Sequence, residues 1–115
     1  MRLASFGAVA AAVFLLAGCG SQDPREQRID NIEDAAEAAA DNIEDAAERQ
    51  ADAMKAEAAG LANQAQAVTG FDAERLQTRA DSLKEEARIV ARQADARAKA
   101  VKDRATAEVS EIRAE

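Results

Sequence analysis

Between residues 30 and 48 the chain carries the same eight residues twice. Asp30-Asn31-Ile32-Glu33-Asp34-Ala35-Ala36-Glu37 recurs eleven positions on as Asp41-Asn42-Ile43-Glu44-Asp45-Ala46-Ala47-Glu48. A decayed third copy stands at Asp52-Ala53-Met54. Eleven residues over three turns is about 3.67 per turn, close to the period of a straight α-helix, so the repeat predicts one long helix with straight or slightly right-handed packing. Ile32, Ile43 and Met54 then share one stripe. Ala36, Ala39, Ala47, Ala58, Leu61, Ala65 and Val68 fill it out at steps of three and four.

The ends of this helix are punctuated. Asp23-Pro24-Arg25-Glu26 reads as an N-cap, a proline at the first helical position and a glutamate in the first turn. Gly70 suits a left-handed residue just past the helix end, which places the first, acidic helix over 23–69. Gly60 is a soft spot inside it, costing about 1 kcal/mol against alanine. After a turn over 70–72, Asp72 is the expected cap of a second helix over 73–113, with Phe71 and Leu76 spaced as a hydrophobic staple. The second stripe runs Leu76, Ala80, Leu83, Ala87, Val90, Ala94, Val101, Ala105, Val109 and Ile112, close to a heptad rhythm. Two arms of similar length joined by a short turn predict an all-α fold, an antiparallel, coiled-coil-like helical hairpin. The expected helix–helix seam is Ile32, Ile43, Met54, Leu61 and Val68 against Leu76, Leu83, Val90, Val101 and Ile112.

Charge supports that folding back. From Ile29 to Glu48 there are eight acids and no base, and the stretch expected opposite carries Arg92, Arg97, Lys99, Lys102 and Arg104 against Asp95 and Asp103. Exposed pairs are each worth at most about 1 kcal/mol, so they would set register and orientation more than stability.

Composition narrows the chemistry. About a quarter of the residues are alanine, and most of the rest are strong helix formers. Histidine, tryptophan and tyrosine are absent, so the commonest general base and metal ligand is missing, and neither catalytic nor metal-binding residues are expected. The acidic run is read as a solvated helix face, because calcium sites gather their oxygens in a loop. The negative net charge has the wrong sign for nucleic acid. Leucine, isoleucine, valine, methionine and phenylalanine are scarce, and alanine buries little area, so a large core is not expected.

The N-terminal stretch has a different character. Arg2 precedes an uncharged apolar run over 8–17, the layout of an export signal over 1–18. That run is about ten residues, where a spanning helix needs about 20. It ends Leu16-Ala17-Gly18-Cys19, which resembles the lipobox of bacterial lipoproteins at each position. The resemblance implies cleavage between Gly18 and Cys19 and a diacylglyceryl thioether on Cys19, the chain's one cysteine. Residues 19–22 would then be a short lipidated tether. No cofactor is expected besides that covalent lipid. Without 1–18 the chain keeps 14 of its 15 bases and all 22 acids, a net charge of −8. Stable anchoring takes two or more acyl chains, which lipoproteins carry. Gly20 stands where the family's inner-membrane retention signal carries aspartate, which points to the outer membrane, facing the periplasm.

In layout the chain is similar to murein-lipoprotein-like Ala-rich helical envelope lipoproteins. The resemblance implies a non-catalytic envelope spacer or protein-interaction module, partnered by the membrane through its lipid and by an envelope protein or a second copy of itself. Family members linked covalently to peptidoglycan use a C-terminal lysine, whereas this chain ends Arg113-Ala114-Glu115, which argues against that linkage. The alternative is a stress protectant or lipid-surface-adsorbing protein, because the eleven-residue repeats also resemble those of late-embryogenesis-abundant proteins.

Overall fold

The computed structural model describes residues 23–115. The expected signal segment and tether, with Gly18 and Cys19, lie outside the described residues. Helix α1 spans Pro24–Ala67 and α2 spans Phe71–Ala114, 44 residues each. At 1.5 Å per residue each arm is about 66 Å long.

The start of α1 is fixed by its cap. The Arg25 backbone N–H donates to Asp23 Oδ1 at 3.0 Å, and Pro24 occupies the first turn, where its missing N–H leaves no bond unmade. The other end of the arm differs from the sequence reading. α1 stops at Ala67, Val68 is extended at φ −123° and ψ 170°, and Gly70 at φ 69° and ψ −142° caps α2 directly. Gly70 thus lies in the mirror image of the extended region, open in practice to glycine, and not in the left-handed helical well. Asp72 falls inside the first turn of α2, two residues too late to cap it. The staple does not form either: Phe71 is 76% exposed, because starting α2 at Phe71 swings its ring away from the seam.

The two helices pack antiparallel. Ile29 and Ile32 near the start of α1 cluster with Val109 and Ile112 near the end of α2. Ala36 and Ala105 line one shared cleft, and Ala47 and Ala94 another. Towards the turn, Met54, Ala58, Leu61 and Ala62 pack with Ala80 and Leu83. Counting along the seam between these contacts, Ile43 falls opposite Ala98, Ala51 opposite Val90 and Met54 opposite Ala87. A bulky side chain on one arm meets alanine on the other, except at the open end, where isoleucine and valine meet.

The centre of the seam is alanine. Eleven of the fifteen buried residues are alanines, and Ala40, Ala58 and Ala80 are wholly inaccessible. Buried area is therefore modest, and close backbone approach replaces it with dispersion contacts between the arms. The eleven-residue period holds on both helices. Ile29, Ala40 and Ala51 form one buried row of α1, and Ala87, Ala98 and Val109 one of α2. The heptad reading of α2 is thereby corrected: Ala98 enters the seam, and the steps from Ala94 to Ala98 and from Ala105 to Val109 are both four residues. Among the expected seam residues, Leu83 and Ile112 are buried, while Ile32, Ile43, Met54, Leu61, Leu76, Val90 and Val101 are half-buried. Val68 is 40% exposed and outside the seam, because α1 has already ended.

Two pairs of substitutions test this packing by urea melts. Ala58→Leu should lower stability by about 1–3 kcal/mol through overpacking, whereas Ala59→Leu on the exposed side should change it little. The two glycines should respond with opposite sign. A Cβ at either meets nothing within 4 Å, so only backbone terms remain. Gly60→Ala should stabilise by about 0.5–1 kcal/mol, and Gly70→Ala, held at positive φ, should destabilise by about 1–3 kcal/mol.

Candidate functional site

A two-helix hairpin has no interior in which to enclose a ligand, so whatever it offers a partner lies on its two broad faces, its edges and its ends. The eleven-residue period sorts α1 cleanly between the faces. Positions 32, 35, 39, 43, 46, 50 and 54 follow one flank of the seam and carry Ile, Ala, Ala, Ile, Ala, Gln and Met, with no charge. Positions 30, 33, 37, 41, 44, 48 and 52 follow the other flank, and all seven are Asp or Glu. Helix α1 thus has an apolar flank and an acidic flank.

Contacts across the seam agree with that division. On the apolar face Ile43 and Ala46 share a cleft with Val90, Gln93 and Arg97. On the acidic face Glu44, Glu48 and Asp52 border a cleft with Ala91 and Asp95, and Glu33 and Glu37 border one with Lys102 and Thr106. The half-buried Ile32, Ile43 and Met54 form one row of α1, and Val90 and Val101 one row of α2. These rows lie on the same, apolar side.

The expected charge matching between the arms does not close into ion pairs along their length. Among the described residues one salt bridge joins the helices, Arg28 Nη1 to Glu115 Oε2 at 3.6 Å, at the open end. The remaining bridges lie within single helices, such as Lys55 with Asp52 and Arg79 with Glu86. Arg92 turns to Glu85 and Lys99 to Asp103 on their own helix. Within the described residues Arg97 and Arg104, and all eight acids from Asp30 to Glu48, form no salt bridge. The reason is separation. The α1 acids sit on the acidic flank and the outer edge, whereas Arg97 lines the Ile43 cleft on the other side of the seam.

The most organised polar group is on the outer side of α2. Arg88 Nη1 and Arg92 Nη2 donate to the two oxygens of Glu85 at 3.2 and 3.3 Å. The hydrogen bond from Arg88, then that from Arg92, hold the Glu85 carboxyl below its ordinary value. All three side chains are exposed, so this is a local staple of the helix surface. Thr78, Thr106 and Ser110 donate their hydroxyls to the carbonyls of Glu74, Lys102 and Thr106, which satisfies them within α2.

Among the described residues no group of three or more His, Cys, Asp or Glu side chains is placed to hold a metal ion. No helix there is long and apolar enough to cross a membrane. Comparison with protein-family models, with curated proteins and with solved structures gave no match to the chain.

The sequence reading grouped Ile32, Ile43 and Met54 correctly as one row but set that row at the centre of the seam. It missed Ile29, Ala40 and Ala51, which were findable by stepping eleven residues from Ile29. The Glu85 group yields a titration test. A carboxyl held down in the folded state adds stability above its unfolded value and loses it as pH falls through the lower folded value. By carbon-detected NMR, Glu85 should titrate below the ordinary glutamate value, and Arg88→Ala with Arg92→Ala should raise its titration point.

Proposed function

We propose that the chain is a lipid-anchored protein of the bacterial envelope, with Cys19 acylated and the hairpin standing in the periplasm as a non-catalytic spacer or protein-docking module. The observation that carries this reading is the placement of the open end. Pro24 follows Cys19 by five residues, and the start of α1 meets the end of α2 at the Ile29–Ile112 cluster. An anchor at Cys19 would hold that end close to the bilayer and project the Gly70 turn about 66 Å away.

The surface suits the same role. Binding energy in such a module comes from extended faces and not from an enclosed pocket, and α1 offers an apolar and an acidic flank along its length. A defined turn and an alternating large–small seam favour a prefolded rod over a chain that gains helix only on drying or adsorption. Outer-membrane sorting follows from Gly20 and belongs to the same proposal.

Lipidation is tested by labelling with a fatty acid in cells producing the full chain. The native chain should incorporate label and lose the mass of residues 1–18. Cys19→Ser should abolish labelling and accumulate uncleaved precursor. Normal processing of Cys19→Ser would sink the lipoprotein reading while leaving the hairpin intact.

A further inference from the structure

The turn is the least supported part of the hairpin. No side chain caps α2 at Gly70, Val68 is extended, and Phe71 beside the glycine is 76% exposed. The helix ends that meet there keep backbone groups that a continuous helix would pair. The buried stripe nevertheless runs through the turn in phase. Ala58 and Ala80, both wholly inaccessible, are twenty-two residues apart, as are Leu61 and Leu83, and Ala65 and Leu76 are eleven apart. These are whole multiples of the eleven-residue period, and Thr69 and Ala73 bridge the last interval at steps of four, four and three. A turn of three non-helical residues can join two helices in any rotational phase, so the hairpin does not need this agreement. A single straight helix does.

We infer that the chain has a second closed form, in which residues 68–70 become helical and two copies exchange arms. Each chain is then one helix over 24–114, about 137 Å long. Each α1 packs on the other copy's α2, and the hairpin's own seam sets both direction and register. Ile29 with Ile112, Ala36 with Ala105, Ala47 with Ala94 and Ala58 with Leu83 are all centred on the bond between Gly70 and Phe71. The two-fold axis of the exchanged dimer crosses at that bond, and every pair forms twice. Exchange of identical elements is a low-cost route to a dimer, because both forms share their contacts. The balance between them is set by chain concentration and by Gly70, whose positive φ the hairpin requires and a helix does not.

The inference concerns the hairpin alone and stands whether or not Cys19 carries lipid. It is tested with a photo-crosslinking side chain at Glu44, which borders a cleft with Ala91 and Asp95 of α2, in cells producing the full chain. The hairpin gives an adduct within one chain, and the exchanged form gives a covalent dimer joined at residues 91–95. The native chain should give both, the dimer share rising with the level of production. Gly70→Ala should raise that share about ten-fold, because alanine opposes the turn and favours the helix. A Cβ there meets nothing within 4 Å, so the seam is untouched and circular dichroism should show helicity retained. Three glycines inserted after Gly70 should abolish the dimer and keep the adduct within one chain, since they relax the turn and disfavour a continuous helix. No dimer from the native chain, a dimer joined elsewhere, or a share unmoved by Gly70→Ala would each overturn the proposal.

Discussion

The fold depends on how closely two α-helices approach when the residues between them are alanine. A methyl side chain lets backbones come near the lower end of the interaxial range, where dispersion between the helices is strongest, and loses almost no rotamer entropy on burial. The constraint this imposes is geometric. A bulky side chain can enter the seam only if its counterpart is small, and Leu83 with Ala58 and Leu61 with Ala80 follow that rule. The rule relaxes at Ile29, Ile32, Val109 and Ile112, where large groups meet large groups.

The same constraint explains the division of the surface. Once alanine occupies the centre, larger apolar groups are displaced to a flank, and the eleven-residue repeat displaces them to the same flank in each copy. The carboxylates of the repeat, one, two and five positions away, fall to the opposite flank and the outer edge. One short motif, duplicated, therefore produces a helix with three distinct stripes: a close-packed seam, an apolar shoulder and an acidic shoulder. The second helix accommodates this plan through its own eleven-residue rows, although it contains no comparable duplicated motif.

Much of this was legible in the residues. The cap at Asp23 and Pro24, the break near Gly70, the two arms and their antiparallel return all follow from local rules that tertiary context did not override. The position of the stripe was harder. Sequence reasoning gives weight to isoleucine over alanine when it looks for a core, and here spacing, not size, decides which is buried. Ala98 was passed over because a heptad was imposed where two successive four-residue steps occur. At the turn, Phe71 and Leu76 have the spacing of a staple, but the helix begins two residues earlier than that motif requires. Charge opposition along the two arms was read from heights alone, and height does not say which side of a helix a residue occupies.

A repetitive seam offers alternative alignments eleven residues apart, each with similar rows in contact. The three residues between Ala67 and Phe71 leave no slack for such a slip. The connection acts as a hinge pin from which the arms close like a zipper, since loop-closure cost is least beside the turn and grows outward. Fraying should then begin at the opposite end, and it is there that Ile29, Ile32, Val109 and Ile112 form a clasp, with Arg28 and Glu115 beside it.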